Sequence, residues 1–194
     1  MKTTKINNSD RVKKLTGVAI LIAIEIVLQT IGNFLSLTGV AINLALIPIA
    51  IGAILYGPLA GALLGFINGL VILYAPSTEG FMAFSIWGTI ITCLSKCTIA
   101  GLVAGFVYRL IEKKSSLVGS IVASLLIPII NTIIFVIFYV TVFKNMEGGP
   151  GDLTFIKILF GSFIALNFIL EFSITTVLSP TIAKIIKIVR KDEE

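Results

Sequence analysis

Uncharged apolar stretches recur from one end of this chain to the other, and several are long enough to cross a bilayer, which takes about 20 residues. Arg11, Lys13 and Lys14 precede the first, Leu15 to Phe34. The second, Asn43 to Tyr56, is shorter and contains Pro48. A third follows from Pro58 to Tyr74, a fourth from Phe81 to Ile111, a fifth from Leu117 to Phe143 with Pro128 inside it, and a sixth from Thr154 to Ile188. Between them lie an uncharged connection at 35–42, a turn at 75–80, a charged turn at 112–116 and a glycine-rich loop at 144–153. At 57% hydrophobic, 13% charged and a mean hydropathy of +1.07, the 194 residues are far from the balance of a soluble domain. The pattern predicts an all-α integral membrane protein with six transmembrane helices in one domain, 1–194, with a polar segment at 1–11 and a charged tail at 189–194. The first run is too long for a signal peptide and lacks a small-residue cleavage site, so no cleaved leader is expected.

The tightest junction in this plan is Tyr56-Gly57-Pro58. Proline disfavours helix in the residue before it and suits the first turn of the helix after it, so one helix should stop at Tyr56–Gly57 and another start at Pro58. Gly57, Gly61, Gly65 and Gly69 then recur every fourth residue, on one face of the third helix. In lipid such a face permits close backbone approach, because packing must supply the contact that a hydrophobic drive supplies in water. A phosphate-cradling loop is a poor reading, since the glycines sit in an apolar run and no P-loop pattern passes through them.

Charge placement predicts orientation. Twelve of the fifteen Lys and Arg residues fall on the side shared by both termini, the 57–58 junction and the 112–116 turn. Lys144 and Lys157 fall on the other, and Lys96 lies at membrane depth. The excess of positive charge marks the cytoplasmic side, so both ends should be cytoplasmic and the loops at 35–42, 75–80 and 144–153 should face outward, in a multi-pass membrane protein. The net charge of +5 is thus topological and implies no nucleic-acid partner. Histidine is absent, which removes the usual general base and the commonest metal ligand, and no enzyme activity or metal site is expected. Cys93 and Cys97, one turn apart in an apolar helix, read as buried packing residues.

Charged and amide side chains at membrane depth each need a reason. Lys96 lies mid-way along the fourth span, Glu25 in the first and Glu171 in the sixth, with Gln29, Asn68, Asn131 and Asn167 adding amides. Glu25 and Gln29, like Asn167 and Glu171, are four apart and share a helix face; Ser85, Thr89, Thr92 and Lys96 make a third polar stripe. Two readings stand side by side. In one, Lys96 meets an anionic or carbonyl group of a ligand in an outward-opening site, with Asn131, Asn167, Gln29, Glu171, Thr92 and Thr89 around it and Phe135 and Tyr139 along its wall. In the other, Lys96 pairs with Glu171 or Glu25 and locks the bundle. Trp87, on the opposite side of its helix from Lys96 at about 100° per residue, suits an interfacial anchor. Ala19 and Ala23 form a small-xxx-small pair pointing away from Glu25, toward lipid or a partner helix.

Taken together, these features resemble the substrate-binding S component of energy-coupling factor (ECF) vitamin transporters. The resemblance rests on Ala19-xxx-Ala23, on Leu55-Tyr56-Gly57-Pro58-Leu59-Ala60-Gly61, and on Gly88-Thr89 through Leu94-Ser95-Lys96 followed by Ala100-Gly101 and Ala104-Gly105-xx-Tyr108. It implies a non-catalytic, cofactor-free binding subunit that captures a small vitamin at the outer face. A transmembrane coupling subunit and two cytoplasmic ATPases would power uptake, with Ala19 and Ala23 as the docking surface. The lack of an N-terminal histidine argues against the nickel and cobalt members. Ala41-Ile42-Asn43-Leu44-Ala45 stands where riboflavin members carry an acidic stretch, so the cargo stays open, with Lys96 pointing to a carboxylate or phosphate such as pantothenate or a folate-type compound carries. The alternative is a stand-alone secondary transporter or channel, for which inverted repeats are common and here not evident.

Overall fold

The computed structural model describes residues 8–35, 43–146 and 163–191. They form seven α-helices: α1 (Asn8–Leu35), α2 (Leu46–Leu55), α3 (Pro58–Ile72), α4 (Glu79–Phe84), α5 (Ile86–Ile111), α6 (Ser116–Thr141) and α7 (Phe163–Lys191), with a 3₁₀ turn, Pro76–Thr78, before α4. The connection at 36–42, most of the loop at 144–153 and the start of the sixth predicted span lie outside the described residues.

α2 (LIPIAIGAIL) has no polar side chain on any face, and a helix apolar all round belongs in the middle. Leu46, Ile49, Ala50, Ala53 and Ile54 are buried, and α2 packs against α1, α3, α5, α6 and α7. The outer helices have the reverse polarity of a soluble bundle. Ile20, Val27, Trp87, Ile91, Phe106, Ile133 and Val177 point outward, whereas Glu25, Gln29, Asn68, Asn131 and Glu171 are buried. That distribution fits a lipid solvent, which accepts apolar side chains and excludes polar ones. Trp87 is 75% exposed, as an anchoring ring should be.

The α2–α3 junction forms as its sequence requires. Gly57 has φ +95°, a region other residues avoid, and Pro58 opens α3. The Gly57 carbonyl accepts from the N–H groups of Ala60 (3.0 Å) and Gly61 (3.1 Å), and the Arg109 guanidinium packs where a Gly57 Cβ would stand. The glycine face of α3 lies directly on α5. A Cβ on Gly61 would fall 2.5 Å from the Gly101 carbonyl oxygen, and one on Gly69 would fall 2.7 Å from that of Cys93; Gly65 meets Cys97 in the same way. This seam is the most extensive helix pair among the described residues.

Two expectations change. The fourth span is not one helix from Phe81 to Ile111. Ser85 adopts an extended conformation (φ −152°, ψ 100°), and its Oγ accepts the Gly88 N–H at 3.2 Å, capping α5 and cutting off α4. A serine that can bond the backbone two or three residues on competes with helix continuation, and here that local bond prevails. Ser85 is therefore a cap and not a member of the polar stripe. The second change concerns six spans. Among the described residues three helices are by themselves long and apolar enough to cross a membrane: Arg11–Phe34 within α1, α5 and α6. α3 and the Pro76–Phe84 segment form a pair bent by 81° that passes together, and α2 and Leu166–Ile182 of α7 are shorter apolar helices.

Candidate functional site

A cavity of about 250 Å³ opens between α5, α6 and α7, at the end of the bundle that carries α4 and away from the 57–58 and 112–115 turns. α5 contributes Thr89, Thr92, Cys93 and Lys96; α6 contributes Asn131, Thr132, Phe135 and Tyr139; α7 contributes Asn167, Phe168 and Glu171. Ile72, Ser77, Thr78, Phe81 and Phe143 complete the rim. Thus Lys96, Asn131, Asn167, Glu171, Thr92, Thr89 and Tyr139, scattered over three predicted spans, come together around one hollow. Gln29 does not join them. It is buried elsewhere on α1 and donates to Asn33 Oδ1 at 2.8 Å. The helix period places Gln29 beside Glu25, but only packing decides what that face meets, and it meets α3.

Lys96 is half-buried, and its Nζ lies 5.3 Å from the Phe135 ring centroid, within cation–π range. Among the described residues no salt bridge joins Lys96 to Glu171 or Glu25, but Lys96 and Glu171 line the same cavity and act on each other electrostatically, so of the predicted alternative a longer-range Lys96–Glu171 attraction remains and a locked contact does not. Glu171 is instead held by the chain itself, accepting the Asn43 backbone N–H at 3.2 Å. From Asn43 a polar ladder runs under the cavity. Asn68 Nδ2 donates to Asn43 Oδ1 (3.1 Å) and to Cys97 Sγ (3.4 Å), and the Cys97 thiol donates to Asn131 Oδ1 (3.5 Å). Cys97 is therefore a polar junction as well as a packing residue. Thr89 and Thr92 return their hydroxyls to the helix, at Ser85 O (2.8 Å) and Gly88 O (2.6 Å). Asn167 Oδ1 has no hydrogen-bond partner.

An aromatic group closes the other side. Phe81 on α4 meets Phe135, Tyr139 and Phe143 edge-on, at centroid separations of 5.9, 6.2 and 5.0 Å, while Phe135 and Tyr139 stack at 5.8 Å. Phe81, Phe143, Phe168 and Asn43 are missed by sequence reasoning. Asn43, a lone amide opening an apolar run, carried a signal; the three phenylalanines are indistinguishable in sequence from lipid-facing ones. The arrangement offers one cationic donor, amide and carboxylate groups, and flat apolar walls. Such a site binds and orients a small molecule. Among the described residues no group of three or more His, Cys, Asp or Glu side chains is placed to hold a metal ion.

The chain matches the family described as the ECF transporter, substrate-specific component, over residues 13–186. It belongs to that family. S components are membrane-embedded binding subunits that associate with an ECF module of coupling and ATPase subunits, so this S component takes part in transport as the partner that recognises substrate. No curated protein and no solved structure matches the chain. On α1 of this S component, Ala19 and Ala23 are exposed while Glu25 is buried, the opposite-face arrangement that the helix period predicts.

Proposed function

We propose that this S component captures a small, anionic-headed vitamin at the outer face of a bacterial plasma membrane, for ATP-driven uptake. The observation that carries the reading is Lys96: an ammonium group inside a membrane bundle, on the wall of a cavity, with the Glu171 carboxylate on the same wall but not in a salt bridge with it. Such a charge is costly in a dry bundle and is matched by a carboxylate or phosphate entering beside it. Asn131, Asn167 and Glu171 would give the directional contacts, and Thr89, Thr92 and Tyr139 the walls. A volume of about 250 Å³ lies below the range of about 300–1,000 Å³ common for drug-sized ligands, which favours a compact cargo of the pantothenate kind over a folate-type compound.

Six crossings, with both termini cytoplasmic, follow from the asymmetry of basic residues if α1, α2, α3, α5, α6 and α7 each cross and α4 folds back over the cavity mouth. The cavity then opens outward, and Ala19 and Ala23 present a flat surface to the coupling subunit within the membrane. Native mass spectrometry of the purified protein is the direct test: a retained small anion, lost or weakened in Lys96→Met, is expected. A protein that carries nothing and binds no member of a vitamin panel would overturn the reading. Uptake into vesicles without any ATPase would favour a secondary transporter instead.

A further inference from the structure

Lys96 and Glu171 share one cavity wall and attract each other, yet no salt bridge joins them. Unlike charges pull strongly on one another where water is excluded, so a restraint is needed to keep them apart.

That restraint lies behind the wall. Glu171 Oε1 accepts the Asn43 backbone N–H at 3.2 Å, and the Asn131 side chain donates to the same carboxylate from α6. Asn43 stands in non-helical chain just before α2, so its N–H is held in place by its side chain and not by a helix. Asn68 on α3 donates to Asn43 Oδ1 (3.1 Å), and the amides of Asn68 and Asn43 both reach Cys97 Sγ on α5, at 3.4 and 3.9 Å. The Cys97 thiol donates to Asn131 Oδ1 (3.5 Å), which leaves the Asn131 amino group for Glu171. Asn43, Asn68 and Cys97 are buried, and none of them lines the cavity. The anchorage survives any turning of the amides together. A main-chain N–H can only donate, and reversing both Asn43 and Asn68 still sets one donor against one acceptor.

We propose that Asn43, Asn68 and Cys97 are positioning residues that hold the Glu171 carboxylate back from Lys96 and so keep the ammonium group open to an anionic cargo. The inference rests on the anion reading of the cavity and extends it to residues that the cargo does not touch. Once the anchorage is cut, Glu171 turns toward Lys96 and an internal ion pair forms. An entering carboxylate or phosphate must then displace a charged hydrogen bond that the intact protein never makes.

The test is calorimetric titration of the full-length purified protein with pantothenate, or with the anion that the native mass spectrum identifies. Asn43→Ala keeps the backbone N–H and removes its anchor; affinity should fall about five- to tenfold. The same substitution in a Glu171→Gln background should change affinity by less than about twofold, because a neutral side chain has no pull toward Lys96 to restrain. A residue that only stabilises the fold would lower the unfolding midpoint, leave the affinity of the folded protein unchanged, and show no such dependence on residue 171. Should Asn43→Ala not fold, Cys97→Ala carries the test through Asn131. Unchanged affinity in the variant, or a loss that persists in full beside Glu171→Gln, would overturn this inference while the anion reading stands. A wild-type protein that binds no anion would overturn both.

Discussion

Two neighbouring rows on α5 meet opposite fates. Along Cys97, Gly101 and Gly105 the helix backbone lies against α3, with no room for a methyl group at the facing glycines. One step around, Thr92 and Lys96 face a hollow that no other side chain fills. The difference shows how a membrane bundle can carry an open chamber at all. Burial from water does not drive helices together in lipid, so close van der Waals contact must do so, and it is concentrated in the α3–α5 seam. The seam holds α5 rigidly, and the adjoining row can then present a lysine to empty space without collapsing onto it.

That contrast can be broken at either row. The largest effect is expected from Gly65→Leu, which drives a side chain into the Cys97 carbonyl, a backbone group that cannot step aside. The cost belongs with the rare substitutions above about 4 kcal/mol, and folded monodisperse protein should be lost in size-exclusion chromatography. Recovery of stable Gly65→Leu protein would show that the seam is not what organises the bundle. Lys96→Met comes next: stability should hold, while cargo affinity by calorimetry falls at least about tenfold, or about 1.4 kcal/mol. Unchanged affinity would make the lysine idle and the two rows equivalent.

Smaller effects sharpen the picture at the edges. Phe81→Ala removes edge-on contacts to three rings, each worth about 0.5–1.5 kcal/mol, and should speed cargo release severalfold in stopped-flow measurements with little loss of fold. The least change in binding is expected on the far side of the molecule. Ala19→Trp or Ala23→Trp should leave cargo affinity within about twofold, because exposed surface substitutions are commonly worth under about 0.5 kcal/mol. Reconstituted ATP-driven uptake should nevertheless stop. Lost affinity in either variant would tie this face to the chamber.

Much of the fold was legible because it is local. The Gly57–Pro58 junction, the α3 glycine face and the inward turn of Glu25, Gln29, Asn131 and Glu171 all follow from backbone geometry and helix period. The break at Ser85 was not legible, since the serine sits in a run of residues compatible with helix and its capping bond decides the matter. Seven of the eight proposed cargo residues meet at one cavity because each is a polar group that lipid excludes, and a bundle offers few places to put one. Gln29 obeys the same rule and ends up elsewhere.

The sequence by itself determined the solvent of this protein, the extent of most of its helices and the face each turns inward, because these depend on hydropathy and on a 3.6-residue period within single segments. Only the tertiary structure decided that Asn167 and Glu171 look into a chamber while Gln29 and Glu25, with the same four-residue spacing, are sealed against α3. It also decided that Lys96 shares its cavity with Glu171 and not with Glu25. Periodicity says which residues share a face; what that face meets depends on how whole helices pack, and distances across helices are settled there.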